Sequence, residues 1–257
     1  MLIGMPRAVF FDLDDTLLDT SGGVDEAWSV TCQAFASELS APWEPLRLAI
    51  RREAQAFWAD EATVGHWRLD LLGARVLVVR TALTAEGLDD SYSERIAERY
   101  REEVTPRMKL FPDTLETLEE LKRQGLKLGL ITNGPAEMQR EKLARFPIEP
   151  YFGSVVIEGV FGAGKPDRAV FEHSLRVAGV APAEAWHVGD NLYADIGGAQ
   201  AVGIHAVWIH RDRLELKDEP LAVPDRVIGH LAELREGLVD DERGTMGAKK
   251  PHTGDEG

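Results

Sequence analysis

Apolar and polar positions follow two different rhythms along this chain. From Pro112 onward, apolar runs of strand length alternate with segments whose apolar positions recur at helical spacing. Asp113 can cap a helix that carries Leu115, Leu118 and Leu121 and that Gly125 can close. The pattern then predicts a strand over Lys127–Thr132, a polar helix near Ala136–Arg145 and a short strand at Ser154–Glu158. Asp167 begins a helix with Val170, Phe171, Leu175 and Ala178 turned inward and Gly179 at its end. A strand at Ala185–Asp190, a small-residue helix near Ala194–Val202, a strand at His205–Ile209 and a last helix over Ile228–Leu238 complete the series. Strands that are apolar on both sides and separated by helices predict a parallel sheet covered by helices on each face.

The stretch from Thr20 to Thr105 shows no strand rhythm. Trp28, Cys32, Phe35, Ala36 and Leu39 fall on one helical face, and further helical patterns run near Pro45–Ala59, Gly65–Leu83 and Ser91–Val104. The expected organisation is therefore a core built from residues 1–19 and 106–239, interrupted by an all-helical unit over 20–105. Polar hinges near Thr20–Gly23 and Thr105–Met108 would join the two, with Gly22 and Gly23 giving the first its freedom. Residues 240–257 are polar and glycine-containing with both charge signs, the composition of a disordered tail.

Composition narrows the field. At 257 residues the chain can bury a full core, and 44% hydrophobic with 28% charged residues is ordinary for a soluble globular protein. A net charge of −15 disfavours a nucleic-acid partner, because phosphate backbones select basic surfaces. A local cationic pocket for a small phosphorylated compound remains compatible with it. The single cysteine, Cys32, lies in a helical apolar pattern and reads as a core residue. No run reaches the length of a membrane span, and Met1–Pro6 lacks the features of a secretory signal, which points to a reducing cytoplasm. The oligomeric state leaves no mark in the sequence.

Chemistry concentrates where apolar runs end. Val9–Phe11 leads directly into Asp12-Leu13-Asp14-Asp15-Thr16, and carboxylates two apart on a strand share a face. Two anions held that close need a cation or a proton between them, and a nucleophile paired with a proton carrier is the usual chemical use of such a pair. Leu128–Ile131 runs into Thr132-Asn133-Gly134. Gly162-Ala163-Gly164-Lys165-Pro166-Asp167 is a glycine-rich loop with one lysine, and Trp186–Val188 leads to Gly189-Asp190 with a second acid, Asp195, five residues on.

In order these read DxDxT, TNG, Lys and GDxxxxD, and as a set they resemble the four motifs of the haloacid dehalogenase-like (HAD) phosphohydrolases, from about Ala8 to Ile209. The resemblance implies a doubly wound Rossmann-like core with a helical C1-type cap in the 20–105 interval, and a phosphatase or nucleotidase acting on a small phosphorylated metabolite. It implies Asp12 as the nucleophile that forms an aspartyl-phosphate, and Asp14 as general acid and then base. Thr132, with the amides of Asn133 and Gly134, would bind phosphate, and Lys165 would balance the transition-state charge. It implies a Mg²⁺ site from the Asp12 carboxylate, the Asp14 carbonyl and Asp190, with Asp195 behind it orienting a metal water or Lys165, and Asn191 a weaker supporting candidate. Asp15 receives no catalytic role, and Thr16 is expected to stabilise the loop. His187 inside a strand reads as core, His66, Trp67, Trp28, Trp58 and Arg68 as helix-packing residues, and Arg51-Arg52 as a solvated face. The competing functions are a dehalogenase, which Asp14 argues against, a phosphomutase of the same fold, and a binding protein that has kept the fold without the reaction.

Overall fold

The computed structural model describes residues 5–211 and 222–235; the proposed tail over 240–257 lies outside them. Strand β1, Ala8–Phe11, is buried along its whole length. Its alternate residues feed two different cores. Val9 and Phe11 pack with Leu118, Leu121, Leu130 and Leu143 on one face of the sheet, while Ala8 and Phe10 pack with Val170, Phe171, Ile196 and Ala199 on the other. This two-sided burial requires helices on both faces, which the sequence rhythm supplies.

The sheet grows outward from β1. Strands β4 (Lys127–Thr132) and β5 (Ser154–Ile157) lie on one side, and β6 (Ala185–Gly189), β7 (His205–Ile209) and β8 (Arg226–Ile228) on the other, in the order β5-β4-β1-β6-β7-β8 with every pair parallel. Phe11 pairs with Leu130 of β4 and Val188 of β6, so the residues just past these three strands meet at one edge. The chain changes direction across the sheet at β1, and crevices at such points are where open α/β sheets bind ligands. Helices α6 (Thr114–Arg123), α7 (Ala136–Arg145), α8 (Glu158–Phe161), α9 (Arg168–Ala178) and α10 (Gly198–Gln200) make the connections.

Helices α1 (Val24–Phe35), α2 (Trp43–Trp58), α3 (Glu61–Trp67), α4 (Leu71–Ala85) and α5 (Ser93–Val104) form the insertion. They carry an apolar cluster of their own, centred on Cys32, Phe35, Leu46, Ile50, Val79, Leu83 and Ile96. Burial pushes the Cys32 thiol up to about 12, as befits a packing residue. The insertion leaves and rejoins the core through a two-stranded antiparallel ribbon, β2 (Leu18–Asp19) against β3 (Lys109–Leu110).

The structure departs from the sequence reading in four places. The helical pattern over Gly65–Leu83 is two helices, because the Asp70 side chain accepts from the amide of Gly73 and starts α4 anew. Ile228 ends β8 instead of opening a helix; helical turns begin at Ala232. The segment after β6 opens as a π-helical turn, Leu192–Gly197, in which the Asn191 side chain accepts from the amides of Tyr193 and Ala194. The β2–β3 ribbon is too short to leave a periodic signal.

Candidate active site

Asp12 follows β1 directly, and its amide still donates to the Val188 carbonyl at 2.9 Å, so the sheet fixes its position. The strand ends at Phe11, so Asp12 and Asp14 stand on the turn beyond it. That turn is tight: Asp15 adopts a left-handed φ of 56°. The Asp15 carboxylate accepts from the amides of Thr20 and Ser21, both at 3.0 Å, and so fastens the exit toward the insertion. Thr16 is buried, but its hydroxyl has no hydrogen-bond partner, so its expected anchoring role falls instead to its carbonyl, which accepts from Arg211 at 2.6 Å.

Lys165 is the centre of the buried network. Its ammonium donates to Asp12 Oδ1 at 2.5 Å and to Asp195 Oδ1 at 2.6 Å, and only 2% of its side chain is exposed. Burial would strip its proton, but the two carboxylates outweigh that and raise its pKa. Asp195 is held from three directions: by Lys165, by His187 Nε2 at 2.8 Å, and by the Asn191 amide at 3.1 Å. Burial acts to raise Asp195, yet the Lys165 charge and the His187 hydrogen bond hold it down at about 2. Burial depresses His187 and keeps its ring neutral. Its Nδ1 has no partner, which places the proton on Nε2, facing Asp195. Gly189 makes room for this arrangement, since a Cβ there would lie 2.2 Å from Asp195 Cγ.

Asp190 stands at the mouth of the recess. Its carbonyl accepts from the Trp208 indole at 2.7 Å, which fixes the backbone, while its carboxylate has no hydrogen-bond or ion-pair partner among the described residues. One oxygen from each of Asp12, Asp190 and Asp195 falls within 4.8 Å of the others. Burial pushes Asp12 up to about 7, with Lys165 opposing and Asp195 and Asp14 reinforcing. Asp190 is exposed as a residue, but its inner end is desolvated; that, with Asp12 and Asp195, pushes it up to about 8. Three carboxylates against one ammonium leave excess negative charge. Asp195 has both oxygens committed, so Asp12 and Asp190 are the pair available to a cation. An all-oxygen donor set of this kind fits Mg²⁺.

The Thr132-Asn133-Gly134 turn closes the opposite side. Thr132 ends β4 with its hydroxyl buried, accepting from Gln139 Nε2 at 2.6 Å. Asn133 clamps the lysine loop, donating to the Lys165 carbonyl and accepting from the Lys165 amide, both at 2.8 Å. The Gly134 amide, expected to face a phosphate, donates instead to Glu158 Oε2 at 3.0 Å. Glu158 fits because Gly164 has no side chain: a Cβ there would lie 2.5 Å from Glu158 Cδ. Asp14 turns toward α7, where Lys142 Nζ contacts both its oxygens at 2.7–2.8 Å and Gln139 Nε2 adds a contact at 2.9 Å.

The structure thus brings Asp12, Asp14, Thr132, Asn133, Gly134, Lys165, Asp190 and Asp195 to one edge of the sheet. Sequence reasoning missed Gln139 and Lys142, although their i, i+3 spacing just after the turn puts them on one face of α7. It also missed Glu158. Arg68, read as a packing residue of the insertion, reaches the core and pairs with Glu158 Oε1 at 2.5 Å. His187 is core, as expected, but serves Asp195 from there. His66 and Trp67 contact each other, Trp67 packs on Phe57, and Arg51 and Arg52 are exposed.

A parallel α/β sheet with clustered carboxylates and one buried lysine at the carboxyl ends of its central strands defines a class of hydrolase with an inserted helical unit. Residues 6–203 match the haloacid dehalogenase-like hydrolase family, and the chain belongs to it. A phosphoserine phosphatase of Thermus thermophilus is 36% identical over 89% of this chain and 97% of its own length. A glyceraldehyde 3-phosphate phosphatase of Methanopyrus kandleri is 32% identical over 82% of this chain and 87% of its own. Among solved structures, a HAD phosphatase from Thermococcus onnurineus shares 30% identity with a TM-score of 0.62, covering 90% of this chain and 97% of that one.

Proposed function

We propose that this chain is a Mg²⁺-dependent phosphatase that hydrolyses a small phosphorylated metabolite through a phosphoryl group carried on Asp12. The chain is a phosphoric monoester hydrolase of its family, and relatives named for phosphoserine and glyceraldehyde 3-phosphate support a small metabolite as substrate. The observation that carries the mechanism is the buried Lys165 ammonium shared between Asp12 and Asp195, with Asp190 beside it.

Asp12 attacks phosphorus, and the bond to the ester oxygen breaks. Lys165, fixed by Asp195 and by the Asn133 clamp, orients the attacking carboxylate and balances charge on the phosphoryl oxygens. Asp14 hands a proton to the leaving oxygen and takes one from the water that later frees Asp12. In the structure Lys142 covers both Asp14 oxygens, so that contact must open when the ester enters. Asp12 and Asp190, with the Asp14 carbonyl, would hold Mg²⁺, which supplies positive charge that keeps the carboxylates ionised and offsets that of the phosphate. Thr132 and the Asn133 amide remain as phosphate donors. The helical unit over 20–105 acts as the lid, and its closure excludes water.

The test is phosphate release from a panel of monoesters, with Mg²⁺ and with chelator. The wild-type enzyme turns over at least one ester and stops on chelation. Asp12→Asn loses activity by about a thousandfold or more. Activity retained by that variant would rule out the assigned nucleophile.

A further inference from the structure

Between the insertion and the core, beside the carboxylate recess, lies a cleft of about 290 Å³. Leu69 and Leu72 line it from the insertion, Met108 from the hinge that rejoins the core, and Met138 and Phe146 from α7 and the residue just past its end. Lys142 lines it too, and the same ammonium touches both oxygens of Asp14. Lys142 thus stands between the cleft and Asp14, and the Lys142–Asp14 contact that must open for an ester would join the two, which makes the cleft the space into which the rest of an ester would extend.

One cation in this cleft is unusual. Arg75, on α4, is half-buried with its guanidinium 4.7 Å from the centre of the Tyr100 ring, and Nη1 is buried without a hydrogen-bond partner. No carboxylate pairs with Arg75 among the described residues; of the other cations that line the cleft, Lys142 is engaged with Asp14 and Arg145 with the carbonyls of Thr105 and Pro106, while Arg101 is exposed to solvent. Asp70 is spent on the Gly73 amide, and Glu137 reaches no cation of the cleft. Burial lowers the pKa of Arg75, the mark of a charge short of compensation. Leaving a half-buried guanidinium unpaired is costly, and the planar fork of arginine matches a carboxylate through two parallel hydrogen bonds. In a chain of net charge −15 a half-buried cation without a carboxylate partner is conspicuous.

We propose that the cleft takes the leaving group of the substrate and that Arg75 pairs with a carboxylate on it, so that the preferred substrates are phosphate monoesters of carboxylic acids. The proposal rests on the phosphatase reading above and deepens it, assigning specificity to a residue that no motif marks.

The experiment compares esters that differ in that group: 3-phosphoglycerate against glycerol 3-phosphate, and O-phosphoserine against phosphoethanolamine. For the wild-type enzyme the kcat/KM ratio should favour the carboxylate member by about 10–100-fold, mainly through KM, the range expected for one charge-assisted pair. Arg75→Gln should bring that ratio toward one, and Arg75→Lys should restore part of it. Calorimetric binding of the same esters to the Asp12→Asn variant, with Arg75 intact, reads the pairing without turnover and independently of how Arg75 variants fold. Equal affinities within each pair would overturn the inference, as would a ratio that Arg75→Gln leaves unchanged. Discriminating affinity in a wild-type enzyme that hydrolyses no ester would overturn the phosphatase reading and leave the pairing standing.

Discussion

On the proposed mechanism Asp12 must be ionised to attack, yet its burial favours the neutral acid, and burial likewise opposes the ionised form of Asp190 that a cation would need. Their folded values of about 7 and about 8 lie above the ordinary aspartate value of 3.8. Between the ordinary and the folded value, the native state binds more protons than the unfolded chain, so in metal-free protein these two groups make stability fall as pH rises through 7 to 8. Asp195, held at about 2, contributes in the opposite sense, and its contribution is lost only in strong acid. A divalent ion that binds the ionised pair should reverse the first effect, so the rise in Tm on adding Mg²⁺ should be larger at pH 8 than at pH 6; scanning fluorimetry at both pH values checks this. Lys165 makes the complementary case. Lys165→Met leaves two buried carboxylates without their cation and should cost about 3–5 kcal/mol at pH 8 without metal, measured by urea unfolding. Asp12, Thr132 and Asp190 were legible in the sequence because each follows an apolar run that places it at a strand end, and Lys165 and Asp195 because the glycine-rich loop and the acid spacing completed the motif set. Gln139, Lys142 and Glu158 were not, because their roles come from contacts between elements far apart in sequence.

At the scale of elements, the insertion meets the core through few contacts, and the Arg68–Glu158 pair is the most buried of the ion pairs that join them, with only 3% of the Glu158 side chain exposed. Glu158 also holds the Gly134 amide, so the pair ties the insertion to the turn proposed to bind the phosphate. Arg68→Ala should favour the open arrangement by roughly 2 kcal/mol, about 30-fold in the closing equilibrium. Amide exchange would then speed up at the α3–α4 joint while the sheet keeps its protection; unchanged exchange there would show that the pair does not hold the lid. The helices of the insertion were readable from periodicity, since each buries one apolar stripe in the shared cluster. The break before α4 was hidden because Leu69–Leu72 continues the apolar pattern across the cap at Asp70. β8 was hidden because Arg226–Ile228 is short and follows no apolar run, and its pairing with β7 is a long-range fact.

At the scale of the whole molecule, β1 organises everything: its two faces found the two halves of the core, and its end carries the carboxylate proposed as nucleophile. Phe10→Ala, in the middle of that strand, should cost about 3–5 kcal/mol, seen as a lower urea midpoint with the slope unchanged. The parallel sheet and its helical interruption were legible because doubly covered strands and one-faced helices obey different periods. The order of the strands was not, because it depends on which crossover packs on which face. In the proposed mechanism the fold thus presents one carboxylate, held by the sheet and steadied by a buried lysine, to an incoming ester. The most direct test is to quench the enzyme in acid during turnover of a ³²P-labelled monoester and map the label by mass spectrometry. The account predicts label on the peptide that contains Asp12, released by hydroxylamine as an acyl phosphate must be. Turnover with label on another residue, or with no phosphoryl-enzyme at any quench time, would contradict it.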